Sequence, residues 1–212
     1  MFMSEQEYNA TLDLLNKKTL PGPLLKELQV WAKETLQIEV YNYLCNTAVS
    51  GLLRLQLVVW DYAMRKKLMD GPNYDHHKQD LVAEKFAELA GKYQIHREYW
   101  DARDIFVCCE TIRDEIQSRI LEEVDKEVKS IHHPDIWKIT PSTATIHVFY
   151  HTDEQITRNA QNGVSESIKQ QCTQLVKKHD VHNVFPNGAN LVFTSQQTLN
   201  EKYAGSMFYY FR

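Results

Sequence analysis

The sequence predicts an α+β fold, with helices packed on a mixed or antiparallel sheet. Three observations carry this. Segments 53–59 and 145–150 alternate apolar and polar residues as strands do. Segments 79–93 and 112–128 carry apolar residues at helical spacing. The order of these elements then recurs along the chain, as it does when a unit has been duplicated.

Taken in order, residues 5–17 form a weak helix that ends at Pro21-Gly22-Pro23, and 1–23 is an N-terminal helical extension and joint. A second helix over 24–36 sets Leu25, Leu28 and Trp31 on one side. Ile38 to Cys45 is extended and rich in Val and Tyr. Asn46 to Gly51 supplies a turn, and Leu53, Leu55, Leu57 and Val59 complete a hairpin. The stretch 52–69 has a second reading, because Leu53, Leu57, Trp60, Met64 and Leu68 also fit a helical stripe. After Asp70-Gly71-Pro72, Val82, Phe86, Leu89 and Tyr93 mark a helix over 79–93. A short strand, 105–109, is followed by a long charged helix striped by Ile112, Ile116, Ile120, Val124 and Val128, which Pro134 halts.

Beyond it, 135–139 is extended, Pro141-Ser142 turns, and 145–150 is a strand. Thr152 with Gln155 three residues on is a capping signature, and Asn162-Gly163 breaks the helix that it opens. Ile168, Cys172, Leu175 and His179 stripe a further helix. A strand at 191–193, a short helix at 198–204 and an aromatic strand at 207–211 follow. Alternation in that last strand puts Phe208 and Tyr210 on one face.

Sliding 88–116 onto 174–202 without a gap pairs Leu89 with Leu175, Lys92 with Lys178, His96 with His182, and Ile105-Phe106-Val107 with Leu191-Val192-Phe193. This predicts two diverged tandem hairpin–helix–strand–helix repeats, about 24–121 and 122–212, forming one core. No Pro/Gly/Ser-rich linker divides them, so 24–212 is read as a single domain.

A net charge of -4 argues against general nucleic-acid binding. No stretch approaches the ~20 apolar residues of a membrane helix, and the first residues lack a secretory signal, so a cytoplasmic location is expected. Cys45, Cys108, Cys109 and Cys172 show no disulfide spacing and read as buried thiols. No Gly-x-Ser-x-Gly elbow, dinucleotide fingerprint or Walker loop occurs. His147 and His151 would stand about 13 Å apart on a strand, too far for one ion. His179 and His182 could share a ligand, but a helix C-terminus favours histidine without one. No metal and no cofactor are expected.

The polar groups that could act together follow the two central strands: Trp60-Asp61-Tyr62 and Tyr150-His151-Thr152-Asp153. In an enzyme, Asp61, His151 and Asp153 would supply acid–base groups. The plainer assignment is that Trp60 and Tyr150 pack while Thr152 and Asp153 cap a helix. As binding residues the candidates are Trp60, Tyr62, Tyr150, His151, Phe208 and Tyr210. With catalytic signatures missing, the expected function is a non-catalytic protein-binding or regulatory protein, in one version a bacterial immunity or antitoxin-type inhibitor, acting as a monomer or homodimer. The alternatives are a hydrolase-like, small-molecule-processing enzyme and a structural self-association subunit.

Overall fold

The structure, a computed structural model, describes residues 3–48 and 51–212. Met1, Phe2, and Val49 and Ser50 of the expected hairpin turn lie outside the described residues. The chain forms an α+β fold in two compact units, Met1–Glu115 and Ile116–Arg212.

In the first unit, α1 (Glu5–Leu15) opens on a capping box between Ser4 and Glu7. Its buried Thr11 accepts a hydrogen bond from Asn42 Nδ2 at 2.8 Å. α2 (Pro23–Leu36) begins with Pro at its first position and buries Leu24, Leu25, Leu28 and Ala32. β1 (Val40–Thr47) and β2 (Leu53–Val59) pair antiparallel. The contested stretch contains both structures in succession, a strand to Val59 and then α3 (Tyr62–Arg65) with a 3-10 turn over Lys66–Leu68. Asp61 divides them by capping α3, its carboxylate accepting from Met64 N–H. A two-residue ribbon, β3 (Met69–Asp70) and β4 (Asn73–Tyr74), turns at Gly71, where φ is +59°. α4 (His76–Tyr93) then crosses over to β5 (Ile105–Thr111), which lies parallel to β2 in the order β1-β2-β5. α5 (Ile112–Glu127) follows, and the division between the units falls inside it.

Leu55, Leu57 and Val59 alternate onto the side of α2 and α4 and join one core with Leu28, Val82, Phe86 and Leu89. Phe86 is the hub. It has no exposed surface, and its ring centroid lies 5.1 Å from Tyr43, 5.8 Å from Tyr99 and 6.2 Å from His96.

The outer edge of β5 is capped in part by side chains. Gln79 donates to the Val107 carbonyl, while the Tyr74 hydroxyl donates to the Cys109 carbonyl at 3.2 Å and accepts from its N–H at 3.0 Å. An edge strand's free backbone groups invite another chain, and here two side chains occupy some of them.

The second unit holds β6 (Ile136–Ser142), β7 (Thr145–Tyr150), α6 (Asp153–Gln161), α7 (Val164–His179), β8 (Asn190–Ser195), α8 (Gln196–Tyr203) and α9 (Met207–Tyr210). Its strands run β6-β7-β8, with β6 antiparallel and β8 parallel to β7. Two expectations are corrected here. Pro141 and Ser142 belong to β6, where an edge strand tolerates proline, and the turn falls at Thr143, whose φ is 56°. Residues 207–211 are not a strand: Ser206 caps them into α9, its hydroxyl accepting from Tyr209 N–H.

The two sheets share strand order and sense, but not the register of the gapless alignment. The last ladder pairs, Val59 with Thr111 and Tyr150 with Ser195, set Val107 against Leu191 rather than Phe193. The chain also ends helices without glycine. The C-caps Gln37, Gln94 and Ala204 are left-handed, at φ 58°, 52° and 51°.

Candidate functional site

Period two divides β7 between the two faces of its sheet. Ile146, Val148 and Tyr150 are buried, and the Tyr150 hydroxyl meets Ser165 Oγ of α7 at 2.8 Å, so this face carries the helices. His147 and Phe149 point to the other face, where α9 lies. There Tyr210 is the anchor. Its hydroxyl hydrogen-bonds His147 Nδ1 at 2.9 Å, and its ring lies 5.1 Å from Phe149 and 5.2 Å from Tyr203. Burial holds the His147 imidazole below its ordinary pKa, and so mostly neutral near pH 7.

A helix advances about 100° per residue, so residues two apart point away from each other. Phe208 and Tyr210 therefore do not share a face, contrary to the alternation read from the sequence. Tyr210 is held on the sheet and Phe211, 40% exposed, sets its ring 4.9 Å from His147, while Phe208 and Tyr209 are 62% and 58% exposed. The Arg212 guanidinium lies 4.5 Å from the Phe208 ring centre. Tyr209, Arg212 and the partly exposed Trp137, whose ring meets Phe149 at 5.7 Å, extend this surface beyond the residues chosen from sequence. The Gly205-Ser206 start signal was the clue to the helix.

The polar residues after β7 are engaged within the second unit. Thr152 and Gln155 form the expected capping box. The Asp153 carboxylate accepts from the Ser195 and Thr198 hydroxyls, and its N–H donates to Gln197 Oε1. These bonds, the Ser195 one foremost, hold its pKa below the usual carboxylate range. His151 is exposed and its ring makes no hydrogen bond among the described residues. Asp135, which sequence reasoning passed over, accepts from Arg158 at 2.6 Å, Asn159 at 2.9 Å and Gln155 at 3.0 Å. The Arg158 bond first, then the Asn159 bond, depresses its pKa. Asn159 is fully buried, so Asp135 satisfies an amide that water does not reach.

In the first unit, Trp60 packs against Tyr41 with ring centres 6.5 Å apart, Asp61 caps α3, and Tyr62 is 56% exposed. A groove of about 610 Å³ there is lined by Tyr43, Cys45 and His96 among apolar residues of α1 and α2, and by none of Trp60, Asp61 or Tyr62. Burial pushes the Cys45, Cys108 and Cys109 thiols up to about 12 and Cys172 to about 11, so the thiols stay protonated. His179 faces Glu127 at 2.7 Å beside Lys178. Among the described residues no group of three or more His, Cys, Asp or Glu could hold a metal ion, and no helix is long and apolar enough to cross a membrane.

Fold and surface thus define an α+β protein of two units whose second unit presents a clamped aromatic helix. Comparison with protein-family models, with curated proteins and with solved structures found no match.

Proposed function

We propose that this is a non-catalytic protein-binding protein whose recognition element is α9. The observation that carries the reading is the exposure of Phe208 and Tyr209 on a helix fixed by the Tyr210–His147 bond, with the partly exposed Phe211 at its C-cap. Aromatic side chains beside an arginine are the residue types that dominate interface energetics. A helix already held in place loses less entropy when a partner covers it. The hydrogen bonds that occupy Asp153 favour this reading over acid–base chemistry at the end of β7. An inhibitor of the immunity or antitoxin type is its concrete form, and the net charge of -4 suits a partner with a basic working surface.

The test is quantitative affinity enrichment from extracts of the source cells, with wild-type and Phe208→Ser/Tyr209→Ser baits. Both side chains are exposed, so the melting temperature should hold. One partner should be enriched by the wild type and bind the variant at least ~30-fold more weakly, since each lost aromatic anchor costs on the order of 1–2 kcal/mol. Equal enrichment by both baits, or none by either, rejects the reading.

A further inference from the structure

We infer that β8 is a self-association edge, across which two copies of this chain pair antiparallel about a twofold axis at Val192. The starting point is a difference between the two parallel edge strands. Gln79 occupies the outward carbonyl of Val107 on β5, and Tyr74 occupies the carbonyl and N–H of Cys109. Among the described residues, nothing outside its own sheet bonds the backbone of β8 along residues 190–194. An unpaired row of N–H and C=O groups is satisfied in full only by an extended chain.

Sequence points to a second copy as that chain. A quarter of the protein is charged, yet residues 181–200 contain no Asp, Glu, Lys or Arg. Natural edge strands are guarded by charges, lysine above all, or by proline, and Asn190–Ser195 has neither. A partner chosen by charge would need complementary charges here. Self-pairing across a twofold axis excludes a charge at the axis position, because it would meet its own sign, and Val192 there is apolar.

Geometry fixes the register. On β5 the outward backbone groups belong to residues whose side chains join the core with α2 and α4, Val107 and Cys109. β8 has the same sense beside its central strand, and Phe193 stacks on Tyr150 of the helix-bearing face at 6.0 Å. Its outward groups are therefore those of Leu191 and Phe193. Pairing Leu191 with Phe193 of the second copy brings the two Val192 side chains together in a close, non-hydrogen-bonded pair. Val192 is 40% exposed on the α9 face, and this contact covers it.

Sedimentation velocity over the micromolar range tests the pairing. Wild type should move from one chain to two as concentration rises, while Val192→Lys and Val192→Glu should each stay at one chain with unchanged circular dichroism. Mixing the two variants should restore the two-chain species, as a lysine then faces a glutamate. The Leu191 and Phe193 amides should exchange at least tenfold more slowly in the dimer than in Val192→Lys. A wild type that stays monomeric, a Val192→Lys that still dimerises, or variants that fail to rescue each other would overturn the inference. Neither substitution touches Phe208 or Tyr209, so partner binding through α9 is read separately.

Discussion

Phe86→Ala is expected to remove a large share of the first unit's stability. The side chain has no exposed surface and is ringed by Tyr43, Tyr99 and His96, so its loss leaves a void bordered by stiff rings that collapse poorly. Phe→Ala changes in such cores cost about 3–5 kcal/mol, against a total of about 5–15 kcal/mol for a domain. At roughly 4–8 °C per kcal/mol, the melting midpoint should fall by about 12 °C or more. Phe86→Leu keeps most of the volume and should cost only about 1–1.5 kcal/mol. Thermal and urea unfolding followed by circular dichroism check both. A loss below about 1 kcal/mol for the alanine variant would mean that the ring cluster is not what holds α4 to the sheet.

Acid should destabilise the second unit in two stages. His147 is held neutral by burial, so its folded pKa lies below its unfolded value and the unfolded chain binds the proton more readily. Stability therefore declines as pH falls below about 6.5, the ordinary histidine value. Asp135 and Asp153 act in the same direction at lower pH. Their hydrogen bonds depress the folded pKa, so the stability that they add above about pH 4 is lost as pH falls through the folded values. Urea unfolding over a pH series should show both stages. His147→Gln should abolish the first, and Asp135→Asn should blunt the second while lowering stability at neutral pH. A first stage that survives in His147→Gln would place its origin elsewhere.

Local chemistry was legible in the sequence; long-range chemistry was not. The strand 145–150, the stripe of α4 and the Thr152–Gln155 box were all written in neighbouring residues and recur in the structure. In 52–69, period two and period 3.6 were both present because strand and helix follow one another. The density of aromatics in 207–211 suggested a strand, because such residues favour strands when a sheet can take them in. There Ser206 and the anchoring of Tyr210 on His147 decided for a helix. The exposed aromatic surface of α9 was half visible for the same reason: Phe208 was named, but its turn away from Tyr210 depends on the helix. Asp135 and Tyr74 escaped notice because their partners are 20 to 24 and 35 positions away. No local pattern marks such pairs.

The glycine-free helix ends have a practical consequence. A residue with a β-carbon in the left-handed region carries about 1 kcal/mol of steric cost that glycine does not. Gln37, Gln94 and Ala204 each sit there at a C-cap, where glycine is the usual occupant. These three positions are a ready reserve for thermal hardening. Gln37→Gly, Gln94→Gly and Ala204→Gly each relieve strain without altering the aromatic hub, the edge of β8 or the exposed face of α9. Combined, they should raise the melting point by several degrees, the usual return from small increments at independent sites. The hardened protein would be the natural background for destabilising variants such as Phe86→Ala, which could then be measured while still folded.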